Sequence, residues 1–128
     1  MAGTLIIHTR SCKEGKPGNF GVFRNGWGLY DWLKKRELIN RSEFAPSQAL
    51  LKSVKTGLSF EKFRERYIQE MREHKKANPQ TWDQLLAHEE ITLCCFEHDP
   101  RECHRSILAE LIQKWAEFNG LTVTMDIQ

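Results

Sequence analysis

The strongest pattern of apolar and polar positions lies in the last third of the chain. Ile91 to Glu97 reads ITLCCFE, a nearly continuous apolar run suited to a strand covered on both faces. PRECHRSILAELIQKWAEFNG follows, with apolar residues at helical spacing and a stop near Gly120. LTVTMDI then alternates Leu121, Val123, Met125 and Ile127 with polar residues, which predicts a half-buried strand. Strand, helix, strand predicts a parallel crossover, right-handed by the general rule.

The rest of the chain is less regular. Thr4 to Thr9, TLIIHT, is a short β-branched run and predicts a strand. Five of the eight glycines lie between Gly15 and Gly28, interleaved with Phe20, Phe23 and Trp27, which predicts a long loop able to cover a ligand. Its glycine spacing matches neither common phosphate-cradling fingerprint. LYDWLKKREL, residues 29–38, suggests a short helix. FAPSQALLKSVKTG predicts another, with Pro46 in its first turn and Gly57 past its end. Ser59 is placed to cap the next helix, in which Phe60, Phe63, Tyr67 and Met71 recur on one side. The charged residues on its other sides read as a solvated surface. Asn78 and Pro79 open a further helix with Trp82, Leu85 and Leu86 turned inward as core.

Composition changes this picture little. A chain of 128 residues with 40% hydrophobic and 28% charged residues has the size and balance of one soluble domain, residues 1–128. The formal charge of +2 is too small to argue for nucleic-acid binding. MAGTLIIH lacks the features of a secretory signal, and no apolar run approaches the roughly 20 residues of a membrane helix. The expectation is therefore a cytoplasmic protein with reduced thiols and no membrane partner. Cys94 and Cys95 are adjacent on a strand and point to opposite faces, so no disulfide joins them.

The candidate chemistry is concentrated in LCCFEHDPRECHRS, Leu93 to Ser106, with three of the four cysteines and two of the five histidines. Asp99, Pro100 and Glu102 have a structural explanation as helix cap, first helical position and capping-box partner. At about 100° per residue, His104 falls in the middle of the apolar stripe formed by Ile107, Leu108, Leu111, Trp115 and Phe118. Cys103 and Arg105 flank it on opposite sides. His104 thus points at the sheet, near the strand end where open parallel sheets bind ligands. Cys95 and Glu97 share one face of their strand. Cys103 lies near the positive end of a helix dipole, which favours a thiolate.

Three chemistries compete for these residues. Zinc is disfavoured: Cys95, His98, Cys103 and His104 lack the paired spacing of structural sites, and adjacent helical ligands diverge. Cys95 and Arg101 have the spacing of cysteine-dependent phosphatases. However, the intervening Glu97 and Asp99 repel phosphate, and Pro100 removes a donor. The favoured reading is a polar pocket of Cys95, Glu97, Cys103, His104 and Arg105 that binds or transforms a small organic group, with no metal and no cofactor.

These residues also carry a resemblance. ITLCCFEHDPRECHRSILAE resembles the signature of the family of domains of unknown function numbered 488. That signature is an apolar strand, Cys-x-Glu, a short acidic turn with proline, Cys-His-Arg and a helix. Cys95, Glu97, Cys103, His104, Arg105 and Glu110 fall on its positions. FAPSQALLKSVKTG and FEKFRERYIQEM resemble further segments, so the likeness runs from Phe44 to Val123. Many members carry an Asp-Val-Arg motif after an early strand and helix; the nearest match here is HTRSC with Arg10. The resemblance implies a compact α/β domain.

The expected architecture is a single α/β domain with a small, mainly parallel sheet flanked by helices. Its site is expected at the carboxyl end of the Ile91 to Glu97 strand, roofed by part of the Gly15 to Gly28 loop. As an enzyme acting on a nucleotide or nucleic-acid-derived group, it would use Cys95 or Cys103 as thiol and His104 as proton carrier. Glu97 would be a second acid/base group, and Arg105, with Arg10, would hold an anion. The alternatives are a binding or sensor module for a small or modified-nucleotide ligand, and a structural Cys/His core with no site. Nucleic acid as a partner and the oligomeric state stay open at this level.

Overall fold

In the computed structural model, residues 3–11, 14–22, 37–95 and 104–128 are described. The β-branched run near the start forms β1, Thr4–Ser11, and its burial alternates residue by residue. Leu5, Ile7 and Thr9 are fully buried, whereas Ile6, His8 and Arg10 are half-buried on the opposite face. β1 lies between β4, Glu90–Cys95, and β5, Thr122–Ile127, and pairs with both in parallel. Ile7 lies beside Ile91 and Met125 in this register, so the three strands present one continuous apolar face.

Two short strands complete the sheet: β2, Phe20–Gly21, and β3, Ile39–Asn40. The order is β3-β2-β4-β1-β5, and every pairing among the described residues is parallel. These two strands correct the sequence reading, which assigned a loop to Gly15–Gly28 and no strand at residues 39–40. Two-residue strands are too short to show alternation, and glycines at positions 18 and 21 masked the pairing with β4.

The capping residues read from the sequence open two of the helices, at Ser59 and at Pro79. α1, Gln48–Lys55, is capped by Ser47, whose Oγ accepts from the Leu50 amide at 3.1 Å. Ser47 in turn donates through both its amide and its hydroxyl to the Glu70 carboxylate. That carboxylate belongs to α2, Phe60–Ala77, so one side chain caps α1 and ties it to its neighbour. Pro46 lies before this cap and not in the first turn. Gly57, at φ +106°, ends the segment in a conformation that suits glycine. Ser59 caps α2 through the Lys62 amide, and Phe63, Tyr67 and Met71 are buried as predicted. α3, Pro79–Leu85, buries Trp82 and Leu85. Of residues 29–38, where the sequence suggests a short helix, 29–36 lie outside the described residues and Glu37 and Leu38 are not helical.

The crossover helix is α4, His104–Phe118, and it packs on β1, β5 and α2. It joins β4 to β5 with β1 between them, so the parallel crossover spans one strand. Its buried arc is wider than the apolar stripe and rotated from it. Arg105, Ala109, Ile112 and Ala116 are fully buried alongside Ile107 and Leu108. Phe118, placed on the buried stripe by periodicity, is instead 81% exposed. No helix among the described residues is long and apolar enough to cross a membrane.

Candidate functional site

Cys95 is the last described residue of β4 and His104 the first described residue of α4, and their side chains meet. Both side chains are buried, with 4% and 7% of their residue surface exposed. The Cys95 Sγ lies 3.6 Å from Nδ1 and 3.7 Å from Nε2 of His104. Near-equal distances place the sulfur off the axis of either ring nitrogen. This is a packed contact between the thiol and the edge of the ring.

The imidazole is oriented from elsewhere. Its Nε2–H donates to the carbonyl oxygen of Val22. That donation puts a hydrogen on Nε2, while Nδ1 lies beside the thiol. Val22 itself is fixed by sheet pairing, because its amide donates to the Cys94 carbonyl at 3.0 Å. The glycine-rich segment therefore does meet the site, through one main-chain carbonyl. Tyr67 packs edge-on against the His104 ring, with centroids 5.5 Å apart, and donates its own hydroxyl to the Phe44 carbonyl at 2.6 Å.

Arg105 corrects its expected place beside the stripe: it is fully buried. Its Nη2 donates to the main-chain oxygen of Gln128 at 3.2 Å, at the carboxyl end of β5. The Gln128 amide N–H donates to the Thr9 carbonyl at 3.2 Å, so Arg105 reaches across the ends of β1 and β5. Cys94, on the other face of β4, is also fully buried. Burial pushes its thiol up to about 11, against the opposing charges of Arg105 and Arg10. Cys94 and Cys95 are both free thiols, as their opposite facing requires.

Arg10 does not join Cys95 and His104. It belongs to the half-buried face of β1, where its Nη2 meets Asp126 Oδ2 at 2.6 Å and its Nη1 donates to the Thr9 carbonyl at 2.8 Å. His8 sits in the same network, with Nδ1 2.7 Å from Asp126 Oδ2 and Nε2 against Glu90. Hydrogen bonds from Arg10, and secondly from His8, hold the Asp126 carboxyl down at about 2. A cavity of about 450 Å³ opens over this face, lined among others by His8, Arg10, Lys16, Asn19, Phe20 and Glu90.

Of the residues singled out in the sequence, the structure thus brings together Cys95 and His104, with Arg105 next along the same helix. Glu97 and Cys103, and with them His98, Asp99 and Arg101, lie outside the described residues. Among the described residues, no three His, Cys, Asp or Glu side chains gather where a metal ion could sit. Sequence reasoning missed the Val22 carbonyl and the partners of Arg10. The polar positions His8 and Arg10, two apart within an apolar strand, were a signal that β1 has a chemically distinct second face. Their pairing with Asp126 and Glu90 depends on strand register.

Residues 32–116 match the family described as the active DUF488-N3 subclade. No curated protein and no solved structure matches the chain.

Proposed function

The chain belongs to the active DUF488-N3 subclade, and from that premise we propose a thiol- and imidazole-dependent enzyme acting on a nucleotide or a nucleic-acid-derived group. The observation that carries this reading is the contact of Cys95 Sγ with an imidazole whose other nitrogen is engaged by the Val22 carbonyl. A general base needs its ring oriented by a third group, and here a main-chain oxygen does that. Cys95 attacks an electrophilic carbon of the ligand as its proton passes to Nδ1 of His104. The same proton is then delivered to the departing group, and the bond from that carbon to the leaving atom breaks.

The other assignments are extensions of this core. Glu97 is the second acid/base group and Cys103 the alternative thiol. Arg105 and Arg10 supply positive charge near the carboxyl ends of the strands, which favours an anionic ligand. The nucleotide class rests on those arginines and on the strand-end location. A cytoplasmic setting fits two neighbouring thiols that stay reduced.

A second reading has its own support. Cys95 and His104 are both more than nine-tenths buried, which also suits a binding module or a packed core without turnover. Iodoacetamide separates the two. Enzyme chemistry predicts a fast-reacting thiol in the native protein that disappears in Cys95→Ser and slows in His104→Ala, with both variants folded by circular dichroism. A Cys95 that reacts only after unfolding would leave the packed core as the answer.

A further inference from the structure

The far end of α4 carries an aromatic pair with no role in the site above. Phe118, 81% exposed, stacks on Trp115 with ring centroids 5.7 Å apart and planes 14° from parallel. Trp115 is held on two more sides. Its Nε1–H donates to Asp83 Oδ1 at 3.1 Å, and the Lys75 Nζ lies 4.5 Å from the ring centroid. Next to this pair is a small cavity of about 130 Å³, lined by Met71, Arg72, Lys75, Trp82, Leu111 and Lys114. Its lining is thus three apolar side chains and three cations, with no carboxylate among them.

We propose that this surface binds single-stranded nucleic acid, with a base stacked on the outer face of Phe118 and phosphates on Arg72, Lys75 and Lys114. The stack supplies the first argument. Two near-parallel rings, the outer one open to solvent, present a plane on which a third ring continues the series, and every base offers such a face. Size supplies the second. Pockets that enclose a small ligand run from about 300 Å³ upward, so this cavity is too small for a free nucleotide but can seat one edge of a chain lying across the surface. Charge supplies the third, since the cations beside the rings match a phosphate backbone. An acidic polypeptide would meet the cations but has no need of a flat, exposed ring stack. The proposal does not depend on Cys95 or His104.

Fluorescence anisotropy of the full chain with a labelled, mixed-sequence single-stranded oligonucleotide tests it. Binding should weaken as salt rises. Phe118→Ala should weaken it about tenfold. Lys114→Glu should weaken it and flatten the salt dependence by roughly one phosphate contact. Both residues are exposed, so the melting temperature should hold. No binding at low salt, or undiminished binding by Phe118→Ala, would overturn the proposal. So would equal competition by polyglutamate, which would mark an acidic-protein surface. A dimer in sedimentation that Phe118→Ala dissociates would instead assign the face to a second copy of this chain.

Discussion

The two faces of the β4–β1–β5 strands, built from alternate residues of the same three strands, carry opposite chemistry. On one face Leu5, Ile7, Ile91 and Leu93 are buried, and Cys95 meets His104 at the end of that layer. On the other, His8, Arg10, Glu90 and Asp126 form a charged network beside an open cavity. One face holds a buried thiol–imidazole contact, where each polar group depends on a specific partner. The other holds charges that solvent can partly screen. Adjacent cysteines 94 and 95 therefore have different surroundings although they share a peptide bond.

The comparison is broken most directly in the packed layer. Ile7→Ala should destabilise the fold by about 2–5 kcal/mol, because a fully buried side chain leaves a cavity. Urea titration should show a much smaller loss for Ile6→Ala, one residue away on the half-buried face. Equal losses would mean that the two faces do not differ in packing.

His104→Ala should come next, at about 1–3 kcal/mol, from the Val22 carbonyl left without its donor and the lost Tyr67 edge contact. His104→Asn should recover part of that loss if its amide reaches Val22, but not the reactivity of Cys95. A variant that recovers both would refute the assignment of His104 as proton acceptor.

On the charged face the test is acid. Asp126 in the folded chain sits at about 2, below its ordinary 3.8. A depressed carboxyl contributes stability that is fully present above the ordinary value and is lost as pH falls toward the folded one. Asp126→Asn should therefore flatten the acid limb of the stability curve in that window. An unchanged limb would show that the Arg10–Asp126–His8 network does not hold in solution.

An alkaline counterpart belongs to Cys94. Its thiol is raised from 9.0 to about 11. A raised folded value means stability that is full below the ordinary thiol range and declines as pH climbs toward the folded value. Cys94→Ala should remove that alkaline decline. In the native wild-type protein at neutral pH, mass spectrometry should find Cys94 unalkylated. Rapid modification would show that the outer face reaches deeper than its burial indicates.

Periodicity and capping made the helices legible. Ser47, Ser59, Pro79 and Gly57 act locally, through neighbouring amides or their own backbone angles, so their roles can be read without a fold. The inward facing of His104 was legible for the same reason, since helical phase is a local property. Phe118 was misplaced because phase identifies a stripe but not how far a neighbour extends along it. β2 and β3 were missed because two residues carry no period.

By itself, then, the amino-acid order determined the α/β class, most of the helix boundaries, the opposite facing of Cys94 and Cys95, and the inward turn of His104. Each follows from contacts within a few residues. Only the tertiary structure decided that β1 lies between β4 and β5, that Val22 holds the imidazole, and that Arg10 pairs with Asp126 116 positions away. Those pairings depend on strand order and register, which are set by the packing of the whole sheet and leave no mark on the spacing of residues along the chain.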